Sequence, residues 1–215
     1  MQGSGLLLLW NDIDPAVDAE YKRWHSREHV PERVTVPGIL AGRRYARTDE
    51  GTQRYLSVYE LESTAVLASK AYLALMEEPT PWSRRMRPHF RNLSRVACRR
   101  GASAGAGLGA GLLALRITGT AAGKPEILTA IAACSALDGM VAAHWCEADA
   151  TVPELSWQSA TGPAGRFDRI LLVEAADNAS LRAARAKIEA LAGHAAPGAI
   201  IDCGPEYALL QVVHG

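Results

Sequence analysis

Between Tyr21 and Glu32 the chain reads Tyr-Lys-Arg-Trp-His-Ser-Arg-Glu-His-Val-Pro-Glu, its densest stretch of aromatic and titratable side chains. Two kinds of chemistry could use it. His25, Glu28 and His29 spell His-x-x-Glu-His. At that spacing two helical histidines can bind zinc while the glutamate polarises a water. Such a site needs a third protein ligand from a second substantial helix, so no metal is expected and a metal-dependent hydrolase is the lesser alternative. The other chemistry is proton transfer. Imidazole titrates near working pH, which makes His29 or His25 a candidate proton shuttle at the mouth of a cleft. Tyr45 would hydrogen-bond a substrate oxygen, and Arg43 or Arg44 would hold an anionic or enolate group.

On a helix, Tyr21, Trp24, His25 and Glu28 form one stripe with His29 beside it. A helix packed on a sheet ordinarily fills that stripe with Leu, Ile or Val. Polar-tipped side chains there cost desolvation unless each finds a partner. The structural alternative makes Trp24 core, pairs Glu28 with an arginine, and sets the histidines at the helix C-terminus, where a cation is favoured. Tyr55, Ser57 and Tyr59 share one strand face, opposite Glu60. Residues 82–100 add Trp82, His89 and seven arginines (Arg84, Arg85, Arg87, Arg91, Arg95, Arg99 and Arg100), read as a solvated face, an interface or an anion site. The candidate set is therefore His29, His25 and Tyr45 for catalysis, and Trp24, Arg44, Tyr59, Trp82 and His89 for binding substrate. No serine nucleophile elbow, kinase signature, haem motif or flavin motif appears, and no cofactor is expected.

The elements that must position these residues follow from breakers and periodicity. Leu6–Trp10 is an apolar strand. Asp14-Pro15 opens a helix as N-cap and first residue, and Pro31 sets its end at about Val30. Ile39–Arg47 and Tyr55–Leu61 form a hairpin across Asp49–Thr52. A helix over Thr64–Glu77 and a strand over Leu93–Arg99 complete the first half. Gly101–Gly111 lacks the spacing and the following Lys-Ser/Thr of a phosphate loop, and reads as a flexible linker running into the next strand.

The order then recurs. Gly111–Arg116 matches Gly5–Trp10, Gly139–Trp145 matches Gly38–Arg44, and Ile170–Glu174 matches Tyr55–Tyr59, at offsets of 106, 101 and 115. Helices are expected from Lys124 to about Ser135 and over Asn178–Leu191, with a strand over Tyr207–Val213. Two β-α-β-β-α-β units, residues 1–102 and 103–215, make an α+β protein of ferredoxin-like halves. Runs apolar at both parities, such as Leu6–Leu9 and Ile170–Val173, need cover on both faces, which two antiparallel sheets packed face to face would give. Asp149–Asp168, with Leu155 and Trp157, is long for a hairpin turn and reads equally as a lid or as packing on the partner sheet.

The run Trp24-His25…Glu28-His29-Val30-Pro31-Glu32…Val36-Pro37-Gly38-Ile39-Leu40-Ala41-Gly42-Arg43-Arg44-Tyr45 resembles the EthD-like branch of the dimeric α+β barrel superfamily. His29-Val30-Pro31 matches that family's His-x-Pro, Pro37-Gly38 the turn into its strand, and Arg44-Tyr45 the strand end. The resemblance spans about residues 5–100, and it implies one functional cleft in the first half with the second half as a built-in partner. Together the two lines imply a cofactor-independent enzyme, of lyase, isomerase or monooxygenase type, on a small oxygenated aromatic or polyketide-like compound. The alternative is a non-catalytic binding or stress-associated module.

Composition narrows the partners. The 215 residues carry 23 basic and 23 acidic side chains, a balance that argues against nucleic acid. The halves differ: residues 1–100 hold 16 Lys+Arg against 12 Asp+Glu, and the remainder 7 against 11. No run approaches the ~20 apolar residues of a membrane helix, and Met1–Trp10 lacks the form of an export signal. Cys98, Cys134, Cys146 and Cys203 are scattered and read as reduced thiols of a cytoplasmic protein. A small-molecule ligand is the expected partner, and a homo-oligomer is left open.

Overall fold

The computed structural model describes residues 1–152 and 167–215. The first half runs β1 (Gly5–Ile13), α1 (Asp18–Trp24), a π turn (His25–His29), α2 (Val30–Val34), β2 (Ile39–Arg47), β3 (Tyr55–Leu61), α3 (Lys70–Glu77), α4 (Pro81–Met86) and β4 (Phe90–Gly105). The second runs β5 (Gly111–Thr118), α5 (Lys124–Ser135), β6 (Met140–Ala148), β7 (Arg169–Ala175), α6 (Asn178–Ala195) and β8 (Ile200–His214). The strands pair antiparallel in the order β1-β3-β2-β8-β5-β7-β6-β4 and close on β1. Each half thus supplies the ferredoxin-like order, β4-β1-β3-β2 and β8-β5-β7-β6. Two seams, β2 with β8 and β4 with β6, join the halves into one intrachain α+β barrel. Closure leaves no sheet edge exposed.

Alternation sorts the side chains. Leu6, Leu8 and Trp10 of β1 pack in one core with Leu112, Ala114, Ile170 and Leu172, inside the barrel. Their neighbours Leu7 and Leu9 face the first half's helices instead. Both parities are buried, which explains the unbroken apolar runs. A buried ion pair also crosses the lumen. Arg43 bridges Glu60 of its own half and Glu174 of the other, the latter at 2.9 Å, and Glu174 accepts from His144 Nε2 at 3.2 Å. Breaking such a pair from one side typically costs ~3–5 kcal/mol. The opposite net charges of the halves meet chiefly here and at Arg99–Asp149, 3.9 Å apart.

Two expectations require correction. Gly101–Gly105 is not linker but the end of β4, with Ala102 opposite Trp145 and Gly105 opposite Ala142. Its small residues have a packing reason, since Ala102 and Ala104 pack against the core beneath α5 and α6. A Cβ on Gly105, at φ +79°, would meet the Val141 carbonyl at 2.3 Å. Only 106–110 connect the halves, and there the Gly109 N–H donates to Glu174 at 2.9 Å.

The repeat is also displaced by one residue in its third strand. Leu9 pairs with Ser57 and Leu115 with Leu171, so Ser57 corresponds to Leu171 and Tyr59 to Val173. A one-residue slip moves every side chain to the other face, and here it decides which residues look toward the helices. Most of the long loop, with Leu155 and Trp157, lies outside the described residues. Phe167 beyond it packs edge-on against Trp10 at 6.0 Å. Among the described residues no helix is long and apolar enough to cross a membrane.

Candidate functional site

The site is built around an interrupted helix. Asp14 accepts from the Ala16 N–H at 3.0 Å, Pro15 follows, and one turn later α1 begins. The helix does not stop before Pro31. It widens into a π turn, the Val30 N–H reaching back to the His25 carbonyl, and continues through Pro31 to Val34. Pro31 has no N–H to give, so the Ser26 carbonyl loses its nearest helical donors. Gln211 of β8 replaces them, its Nε2 donating to the Ser26 carbonyl at 3.1 Å. Arg44 braces the same turn through the Ser26 hydroxyl and through Gln211 Oε1 at 3.5 Å. The second half therefore holds the turn on which His25 and His29 stand. Single π turns of this kind are frequent at functional sites.

Beneath the turn, between the helices and the sheet, lies a cavity that opens to solvent on one side. Leu7, Leu9, Met76 and Phe90 form apolar walls, with Trp24 and Tyr72 as aromatic ones. Asn11, Ser57, Tyr59, His25 and His29 add neutral polar groups, and Arg33, Arg87 and Arg95 add charge. The rings pack closely at tilted angles: His29 lies 4.4 Å from Trp24 and 5.0 Å from His25, and Tyr21 lies 5.1 Å from His25. His25 Nδ1, His29 Nδ1 and the Tyr59 hydroxyl are buried without hydrogen-bond partners among the described residues. Burial first, then the positive charge of Arg44 and Arg33, holds His25 well below the usual imidazole range. Burial, Arg33, His25 and Arg87 do the same to His29. Both imidazoles are neutral at pH 7. Burial likewise raises the Tyr59 hydroxyl above the usual phenol range.

The structure brings together Trp24, His25, His29 and Tyr59 and separates the rest of the expected set. Tyr45 and Arg44 are neighbours on β2 and so point to opposite faces. Tyr45 lies in the barrel lumen with Leu6, Leu8 and Trp10, away from His29, and burial raises its hydroxyl beside Arg43. Arg44 braces the π turn from outside the cavity. Trp82 donates to Glu20 at 2.9 Å, and His89 lies 3.8 Å from Asp14, both away from the lining. Among the described residues Glu28 pairs with no arginine: it accepts from Trp24 Nε1 at 3.2 Å, Thr80 Oγ1 at 2.5 Å and Ser83 Oγ at 3.4 Å. Those bonds tie α4 to the helix and take the carboxylate out of any zinc site with His25 and His29. The histidines cap no helix end either. Among the described residues no three His, Cys, Asp or Glu side chains cluster as metal ligands.

Arg33, Tyr72 and Met76 were not in the expected set, and Arg87 and Arg95 were there only as members of a charge run. Arg33 could have been found: four residues beyond His29, it shares that helix face once the helix passes Pro31. The parity of β4 likewise places Arg95, opposite Leu9, on the helix side.

No family model and no curated protein matches the chain. Solved structures do. An anthrone oxidase-like protein aligns at TM-score 0.61 and 10% identity, covering 98% of this chain and 92% of that one. A candidate monooxygenase of Lactobacillus acidophilus aligns at 0.56 and 7%, covering 98% and 96%. A haem-binding protein of Thermus thermophilus aligns at 0.53 and 9%, covering 98% and 92%. At these identities the likeness is one of fold, the dimeric α+β barrel.

Proposed function

We propose that the protein is a cofactor-independent enzyme of monooxygenase type acting on an oxygenated, enolisable aromatic compound in the first-half cavity. The first half, through β4, would carry the site and the second half complete the barrel as a degenerate copy, in the manner of a duplicated EthD-like unit. One observation carries the reading: two neutral imidazoles and a tyrosine hydroxyl, each with an unpartnered buried polar atom, meet in one aromatic-walled cavity. Buried polar groups left unpaired are costly, and a bound ligand's oxygens would pair them. His29 or His25 would take a proton from an activated CH₂ group, and the arginines would hold the enolate charge. As it develops, that negative charge would stabilise the imidazolium formed by the same proton transfer, which burial and the guanidiniums otherwise disfavour. The enolate would then react with O₂, the CH₂ becoming C=O and the second oxygen atom leaving as water.

The likeness to an anthrone oxidase-like fold makes anthrone the first substrate to test. The expected result is one O₂ consumed per anthraquinone formed, lost in H25Q/H29Q and absent without oxygen. Quenching of Trp24 fluorescence by anthrone without O₂ uptake would favour the non-catalytic binding module instead.

Haem, which one similar fold binds, does not suit these residues. An axial histidine is ordinarily held through its other ring nitrogen, whereas Nδ1 of both His25 and His29 is unheld. In the second half, side chains including Trp145, Leu171, Val173 and Ile188 pack beneath α5 and α6.

A further inference from the structure

The charge on the cavity wall is one-sided. Among the described residues three guanidinium groups line it and no Asp or Glu does. Arg33, with its side chain 6% exposed, meets Glu32 at 3.2 Å. Arg95 donates to the Tyr72 hydroxyl at 3.2 Å, and Arg87 to the Met76 carbonyl at 3.1 Å. Burial and the like charge of Arg33 both lower the affinity of Arg87 for its proton, and Glu32 is the carboxylate that opposes them. Arg33 is buried and Arg87 and Arg95 are half-buried, so water screens their repulsion only in part, and an anion between them removes the conflict. Arg33 also stands one turn beyond His29 on the same helix face, and Tyr59, Trp24, Leu7 and Leu9 line the same cavity.

We propose that Arg33, Arg87 and Arg95 form a carboxylate subsite, so that the cavity takes an aromatic carboxylic acid with its ring against Trp24 and its reacting carbon toward His25 and His29. The inference rests on the cavity being the functional site and adds the substrate class. Guanidinium forks match a carboxylate in two parallel hydrogen bonds, strengthened by charge. The apolar walls suit a flat ring.

The test is binding, not turnover. Trp fluorescence titration of the full chain with 1-naphthoate and with its neutral isostere 1-naphthamide compares charge at constant shape. The acid should bind on the order of 10- to 100-fold tighter, the ratio expected of a charge-assisted bidentate contact. Arg95→Met and, separately, Arg87→Met should each bring the acid down to the affinity of the amide, with unchanged near-ultraviolet circular dichroism confirming the fold. Equal affinity of acid and amide for the unmodified protein would overturn the subsite without any variant. So would an acid preference that survives both substitutions. Either result would leave oxygen-dependent turnover of a neutral anthrone untouched, so failure of the subsite and failure of the proposed reaction can be told apart.

Discussion

The two clefts between helices and sheet occupy corresponding places in the barrel, yet one holds a cavity and the other is filled, among the described residues, by apolar side chains. Strand register matches Leu7 and Leu9 to Leu113 and Leu115, Ser57 to Leu171, Tyr59 to Val173 and Arg44 to Trp145. In the second half those positions interlock with Ile131, Leu181 and Ile188 under α5 and α6. In the first half the same backbone carries a serine, a tyrosine and an arginine, roofed by a helix whose inner face is histidine and tryptophan. Topology therefore supplies two equivalent sites, and side-chain volume and polarity at a handful of strand positions decide which is core. The closed cleft also serves the open one, since β8 of that half sends Gln211 to hold the π turn.

Exchanging a single matched pair should break this asymmetry most visibly. Leu171→Ser puts a cavity and a hydroxyl into a packed core, and is expected to cost about 3–5 kcal/mol in urea unfolding. Ser57→Leu is expected to leave stability unchanged or higher, because the leucine fills open space, while it abolishes quenching of Trp24 by 1-naphthoate. Equal destabilisation by the two variants would show that both clefts are packed alike.

The barrel was legible because its signals are local: apolar runs, a proline after an N-cap, and a β-α-β-β-α-β order that appears twice. Three features were not, each for a physical reason. The helix continues past Pro31 because a π turn and a glutamine from a strand some 180 residues away satisfy what proline removes, and no local pattern encodes that partner. The third repeat offset misses by one because Tyr55–Tyr59 and Ile170–Glu174 are apolar enough to align in either register. Only the ladder with β1 and β5 distinguishes them. Tyr45 adjoins Arg44 in the motif, but strand alternation turns it into the lumen, away from His29. Within the site, the histidine-aromatic helix and Tyr59 were readable from type and spacing. Arg33 and the inward-facing Arg87 and Arg95 were hidden, one by the misplaced helix end and two inside a run of charge.

Acid should act on the open cleft before it unfolds the rest. For His25 and His29 the folded state holds the imidazole pKa below the unfolded value of about 6.5. The unfolded chain therefore binds protons that the native cavity refuses. Their contribution is complete above pH ~6.5 and is lost as pH falls toward the native values, at up to ~1.4 kcal/mol per pH unit for each histidine. Thermal unfolding from pH 7.5 to 5 should show this slope, and H25Q/H29Q should flatten it. A slope unaltered by that double substitution would place the acid-sensitive groups elsewhere.

The smallest expected effect bears most directly on why the cleft is polar. The Tyr59 hydroxyl is buried and unpartnered, whereas its counterpart Val173 presents no polar atom. Removing an orphaned buried hydroxyl relieves a desolvation cost that no hydrogen bond offsets. Tyr59→Phe is therefore expected to stabilise the ligand-free protein by about 1 kcal/mol, and Val173→Thr, which creates such an orphan, to destabilise it by a similar amount. With a saturating hydroxyaromatic acid present, the gain from Tyr59→Phe should shrink or reverse, because the ligand's oxygen then pairs the hydroxyl in the unmodified protein alone. Differential scanning calorimetry of both proteins with and without ligand measures the four values. If Tyr59→Phe destabilises the free protein, the hydroxyl already has a partner there, and the contrast between an open polar cleft and a closed apolar one loses that residue.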